Sequence, residues 1–139
     1  MSDVKVVFRW TGTYKVNLAL LDQQHQELFD TVNKLERALR VGEGNAAIDG
    51  ILDRLMNYAG LHFAAEESLM ERHEFPGLST HRVQHEMFRK RMMIFIERHR
   101  AAKPGVSVEL LLFLQTWLKT HVLRTDKQYS AFLNARGVW

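Results

Sequence analysis

Apolar residues recur at three- and four-residue steps through most of this chain, a period that belongs to the α-helix rather than the strand. Leu21, Leu28, Val32, Leu35 and Leu39 form one stripe, and Ile51, Leu52, Leu55, Tyr58 and Ala59 a second. Val83, Met87, Met92 and Ile96 form a third, and Leu110, Leu114, Trp117 and Leu118 a fourth. Gly and Pro punctuate the gaps, at Gly42 with Gly44, Pro76 with Gly77 and Pro104 with Gly105, and Gly137 closes the series. The pattern predicts four amphipathic helices over 19–41, 46–72, 79–101 and 106–125. Short connections make consecutive helices antiparallel, so the expected fold is all-α, an up-down-up-down four-helix bundle. An arm over 1–18, with alternating Val4, Val6, Phe8 and Trp10, is placed to lie across the outside of a bundle over 19–126. A tail over 127–139 carries a short helix from Tyr129 to Ala135. At 139 residues, one domain with one core is expected.

Composition narrows the chemistry. With no cysteine, the chain has no disulfides, thiolate zinc sites or iron–sulfur clusters, so any metal must be held by nitrogen and oxygen. Apolar runs such as Leu110 to Leu114 fall far short of the roughly 20 residues that cross a bilayer, and MSDVKVVFRW lacks the apolar core of a signal peptide. The expectation is a soluble, cytoplasmic protein without a membrane span. The net charge of +3 is small. Arg89, Lys90, Arg91, Arg98, Arg100 and Lys103 concentrate positive charge, which reads as a solvated helix face and not as a nucleic-acid surface.

Of seven histidines, five fall in a pattern: His25, His62 with Glu66, His81 with His85, and His121 followed by Asp126. Residues four apart on a helix point the same way. His62 continues the stripe of Leu55, Tyr58 and Ala59, His121 follows Leu114 and Trp117, and His25 sits between Leu21 and Leu28, so these polar groups face the core. Taken singly, a histidine on an apolar face is more often a core residue than a ligand, and a His-Glu pair one turn apart is commonly a surface pair. Together they would bury five imidazoles and two carboxylates, at several kcal/mol each if left without partners. A bound metal makes that burial favourable. Imidazole and carboxylate suit iron or manganese, and no four-ligand zinc site uses seven inward groups. Two six-coordinate ions offer roughly twelve positions. Five histidines, two bridging carboxylates and one bridging oxygen fill all but one, which stays open to a small ligand. His73 and His99 fall outside the pattern and are expected to be solvent-facing and unliganded.

The motifs Asp22-Gln23-Gln24-His25, Leu28-Phe29, His62-Phe63-Ala64-Ala65-Glu66-Glu67 and Phe75-Pro76 are followed by His81, His85, Trp117-Leu118-Lys119-Thr120-His121-Val122 and Asp126 to Tyr129. With Trp10 and Tyr14 in the arm, this series resembles the hemerythrin family, in particular its single-domain bacterial members. The resemblance implies that His81, His85 and His121 hold one iron, that His25 and His62 hold the other, and that Glu66, Asp126 and an oxo or hydroxo group bridge them. It further implies reversible binding of dioxygen at the two-histidine iron, for transport, storage or delivery to an oxygen-consuming enzyme. Leu28, Phe63, Trp117, Leu118 and Val122 occupy the lining positions of a small dry pocket. A monomer is expected. The arm departs from the family at Val16-Asn17-Leu18-Ala19, where Val-Gly and a hydrophobic residue are common.

Two other readings have definite requirements. A di-iron oxidase or peroxidase of the ferritin-like class is carboxylate-rich and carries Glu-x-x-His, which occurs nowhere in this chain, although slow chemistry on peroxide or nitric oxide is compatible with the ligands. An oxygen, redox or iron sensor needs a separate protein to receive the signal. A metal-free interaction bundle would leave seven aligned ligands to chance. Gly42-Glu43-Gly44 completes neither a dinucleotide nor a phosphate loop.

Overall fold

The structure is a computed structural model describing residues 11–139, apart from the side chains of Thr13 and Arg124; the arm residues Val4, Val6, Phe8 and Trp10 lie outside the described residues. A single 3₁₀ turn, Gly12–Tyr14, leads to α1 over Ala19–Arg40, α2 over Gly44–Arg72, α3 over Leu78–Arg100 and α4 over Val106–Thr120. Both α1 and α3 pack against α2 and α4, which closes a four-helix bundle in chain order. Gly42, at φ 76°, lets α1 end in a left-handed turn, where Glu43 N–H reaches back to Ala38 O at 2.7 Å. Among the described residues no helix is long and apolar enough to cross a membrane.

Two apolar clusters divide the interior. The larger holds Phe29, Leu35, Ile48, Leu55, Phe95, Leu110 and Leu114, among others from all four helices. The smaller joins Val16 and Leu18 of the arm to Leu21, Met70, Tyr129 and Leu133. Between Val16 and Leu18, Asn17 adopts φ 59°, a left-handed conformation that Asn tolerates better than most non-glycine residues. The departure from the family's glycine thus falls where glycine would be least strained. Val16 N–H donates to Asp22 Oδ1 at 2.7 Å, which ties the arm to the first turn of α1.

Three expectations need correction. In α3 the inward stripe is His81, His85, Phe88, Met92 and Phe95, while Val83 and Met87 are 59% and 63% exposed. At 100° per residue, Val83 and Met87 lie on the opposite side from the face that Phe88 and Met92 define. His73 is half-buried, and His99 is also half-buried with Nε2 2.7 Å from Asp49 Oδ1, joining α3 to the start of α2. The fourth helix, finally, does not run evenly to residue 125. It widens into a π-helical turn over His121–Thr125 and continues directly as α5, Asp126–Asn134. Asp126 N–H bonds the carbonyl of His121, five residues back. Five α-helical residues would leave two side chains about 140° apart. The wider turn brings His121 and Asp126 to one side. The basic residues of α3 are partly engaged: Arg89 lies over Phe63, Arg91 over Phe95 and Phe113, and Arg98 pairs with Glu109.

Phe95 is fully buried about 15 Å along α3 from His85. Phe95→Ala is expected to lower stability by about 3–5 kcal/mol while leaving metal loading intact. Urea unfolding beside a metal count checks both halves.

Candidate metal centre

Between the two apolar clusters, the seven polar residues singled out in the sequence converge, none more than 3% exposed. His25 comes from α1, His62 and Glu66 from α2, His81 and His85 from α3, His121 from the π-turn and Asp126 from the start of α5. One-turn spacing aims the pairs in α2 and α3, and the π-turn aims the five-residue pair.

They form two overlapping groups. One ligand atom each from Glu66, His81, His85 and His121 lies within 4.8 Å of the others, and the same holds for His25, His62, Glu66 and Asp126. Asp126 reaches both sides: Oδ1 is 2.9 Å from His121 Nε2 and 3.2 Å from His81 Nε2, and Oδ2 is 3.1 Å from His25 Nε2. Glu66 Oε1 lies 3.0 Å from His62 Nε2 and 3.4 Å from His85 Nε2. The buried Tyr129 hydroxyl donates to Glu66 Oε2.

Outer partners set the orientation of three rings. His62 Nδ1 lies 2.6 Å from Gln24 Oε1, His85 Nδ1 2.8 Å from Glu67 Oε2, and His121 Nδ1 3.1 Å from Gln84 Oε1. With Nδ1–H donated outward, Nε2 presents its lone pair inward. Burial and the Asp126 charge raise the Glu66 carboxyl, but the imidazoles of His62 and His85 crowded against it outweigh both and hold it well below its usual range. Burial likewise raises Asp126, and His121, His25 and His81 more than reverse it. For Glu67 the bonds from His85 and Arg82 win over its partial burial and keep the carboxyl low. Tyr129 is pushed up by burial and by the two nearby carboxylates, so it remains a hydrogen-bond donor.

The donor set fits a metal. Nε2 of His81, His85 and His121, Glu66 Oε1 and both Asp126 oxygens are buried without a hydrogen-bond partner, although they crowd within a few ångströms of one another. Cations held by the two groups would satisfy all of these atoms. Opposite ligands on an ion with bonds of about 2.1 Å stand about 4.2 Å apart, which the spacing within each group accommodates.

Leu28, Phe63, Leu118 and Val122 are all buried in the larger apolar cluster, and Phe63 stacks on His85 with ring centroids 3.9 Å apart. Trp117 stacks on His121 at 4.3 Å but is only half-buried. Together with Met87, Phe88, Phe113 and Arg91 it lines a cleft of about 550 Å³ between α3 and α4. That cleft borders the three-histidine group. Sequence reasoning did not assign Gln24, Gln84, Glu67 or Tyr129 a role. Their one signal is a polar group next to a ligand in sequence, or three residues beyond one.

The profile of the hemerythrin HHE cation binding domain matches residues 16–133. A bacteriohemerythrin of Stenotrophomonas maltophilia is 31% identical over 121 residues, covering 87% of this chain and 78% of the relative. A bacteriohemerythrin of Methylococcus capsulatus is 28% identical over 127 residues, covering 91% and 96%. The crystal structure of a wild-type hemerythrin superposes with a TM-score of 0.81 at 27% identity, covering 90% of this chain and 96% of that one. With the domain matched from the arm to α5 and the same helical bundle in a solved relative, this chain belongs to the hemerythrin family.

Proposed function

We propose that the chain holds two iron ions at this centre and binds dioxygen there reversibly, as a carrier and not an enzyme. The observation that supports this reading is a pair of four-ligand groups joined through buried carboxylates. His81, His85 and His121 would hold one ion and His25 and His62 the other, with Glu66, Asp126 and an oxo or hydroxo group bridging. When bound, the iron pair supplies the electrons with which dioxygen is taken up and given back. The chain's own part is to orient and to exclude water. Gln24, Glu67 and Gln84 keep the Nε2 lone pairs of His62, His85 and His121 turned inward. Tyr129 anchors Glu66. Leu28, Phe63, Leu118 and Val122 supply the apolar wall that a dry pocket requires, since water or protons reaching it would end reversibility. All seven ligands come from one chain, so a monomer suffices; an oxygen-consuming enzyme is the natural recipient.

Anaerobically reduced, iron-loaded protein should contain about two irons per chain and develop a charge-transfer absorption that appears with dioxygen and fades when the gas is removed. Irreversible bleaching to the oxidised form would favour the oxidase or sensor reading, and failure to retain iron would remove the proposal. Leu118→Ala, by opening the apolar wall, should hasten loss of the oxygen-dependent absorption; an unchanged decay rate would take Leu118 out of the gate. Deleting Leu123 should convert the π-turn to an α-turn that leaves His121 and Asp126 four residues apart and still on one side, so about two irons should be retained together with the helical circular dichroism. Loss of iron in that variant would show that the centre needs the wider turn itself and not only His121 and Asp126 on one side.

A further inference from the structure

The three histidines with resolved outer partners differ in the charge of those partners. His62 and His121 face the neutral amides of Gln24 and Gln84. His85 faces a carboxylate, Glu67 Oε2 at 2.8 Å. Glu67 is itself held by Arg82, whose Nε lies 3.1 Å from Oε1 while Nη2 lies 3.2 Å from Glu71 Oε2. This line of charges runs inward from solvent: the Arg82 side chain is 48% exposed, Glu67 19% and His85 not at all. Glu67 and Glu71 sit one turn apart on α2, and Arg82 and His85 sit three residues apart on α3, so the interface between two regular helices suffices to build it.

Resting on the iron-binding reading above, we propose that Glu67 is a positioning residue that, restrained by Arg82, makes His85 the strongest electron donor of these three rings and so lowers the reduction potential of the ion His85 would hold. A carboxylate accepting the Nδ1 proton draws it outward and leaves the ring with more anionic character, whereas an amide does not. A more basic ring favours the higher oxidation state of its metal. Arg82 acts against this by partly neutralising Glu67. The two residues therefore pull in opposite directions on one observable, although they form a single ion pair.

The opposition gives the test. In iron-reconstituted protein followed by spectroelectrochemistry, Glu67→Gln keeps an oxygen acceptor but deletes the charge and should raise the midpoint potential. Arg82→Gln should lower it. Gln84→Glu, which gives His121 the same kind of partner, should also lower it. If the pair merely packs α2 against α3, the Glu67 and Arg82 variants will move the potential the same way or not at all, and that result overturns the inference. A second readout does not depend on iron chemistry. Cobalt(II) titrated into metal-free protein and followed by its visible absorption should bind Glu67→Ala about tenfold or more weakly than the parent; equal affinity would count against a role for Glu67 at His85. A parent chain that fails to hold iron defeats the functional reading, whereas normal loading with unsplit potentials defeats this inference alone.

Discussion

Everything else in this structure is arranged around two carboxylates, Glu66 and Asp126, buried among five imidazoles. Removing one such charge from water costs several kcal/mol unless it is compensated, and compensation in a dry interior demands good geometry from every neighbour. The compensation here comes from all parts of the chain. Each of α1, α2 and α3 contributes at least one imidazole, and the π-turn contributes another. Residues 16–18 and α5 then pack over one end, so that Val16, Leu18, Leu21, Met70 and Leu133 seal one side while the main core seals the other. Tyr129 belongs to both functions, being part of the apolar seal and a hydrogen-bond donor to Glu66.

The bundle and the seven convergent residues were legible because both obey the helical period. A stripe of Leu and Ile at three- and four-residue steps fixes a face, and His62 with Glu66 or His81 with His85 fall on that face by the same count. What escaped the sequence breaks the period or crosses between helices. His121 and Asp126 share a side only because the π-turn adds a residue to one turn, and no propensity announces such a turn. Val83 and Met87 looked like core on hydrophobicity alone, yet the face set by Phe88, Met92 and Phe95 leaves them in solvent. The contacts of Gln24 with His62 and Gln84 with His121 span 38 and 37 residues, so no local pattern contains them. Asn17 is intermediate: the departure from glycine was visible, and its left-handed φ explains why the position is special.

The two halves of the interior answer different demands. The larger cluster, packed with Phe29, Leu35, Ile48, Phe95 and Leu110, is apolar throughout and contributes stability without reference to any ligand. The end that holds the candidate centre is polar at its heart, and its unsatisfied Nε2 and carboxylate oxygens oppose burial until a cation joins them. A metal bound to the folded chain but not to the unfolded one adds about 2.7 kcal/mol of stability when its free concentration is a hundred times the dissociation constant. That contribution falls where the chain's own packing is least favourable. Because the seven candidate ligands come from α1, α2, α3, the π-turn and α5, such a gain would be shared across the bundle instead of one hairpin. The division explains how a chain of this size keeps a charged cluster at its centre: one half holds the helices together well enough to bring the candidate ligands within reach, and a metal bound among them would hold the other half.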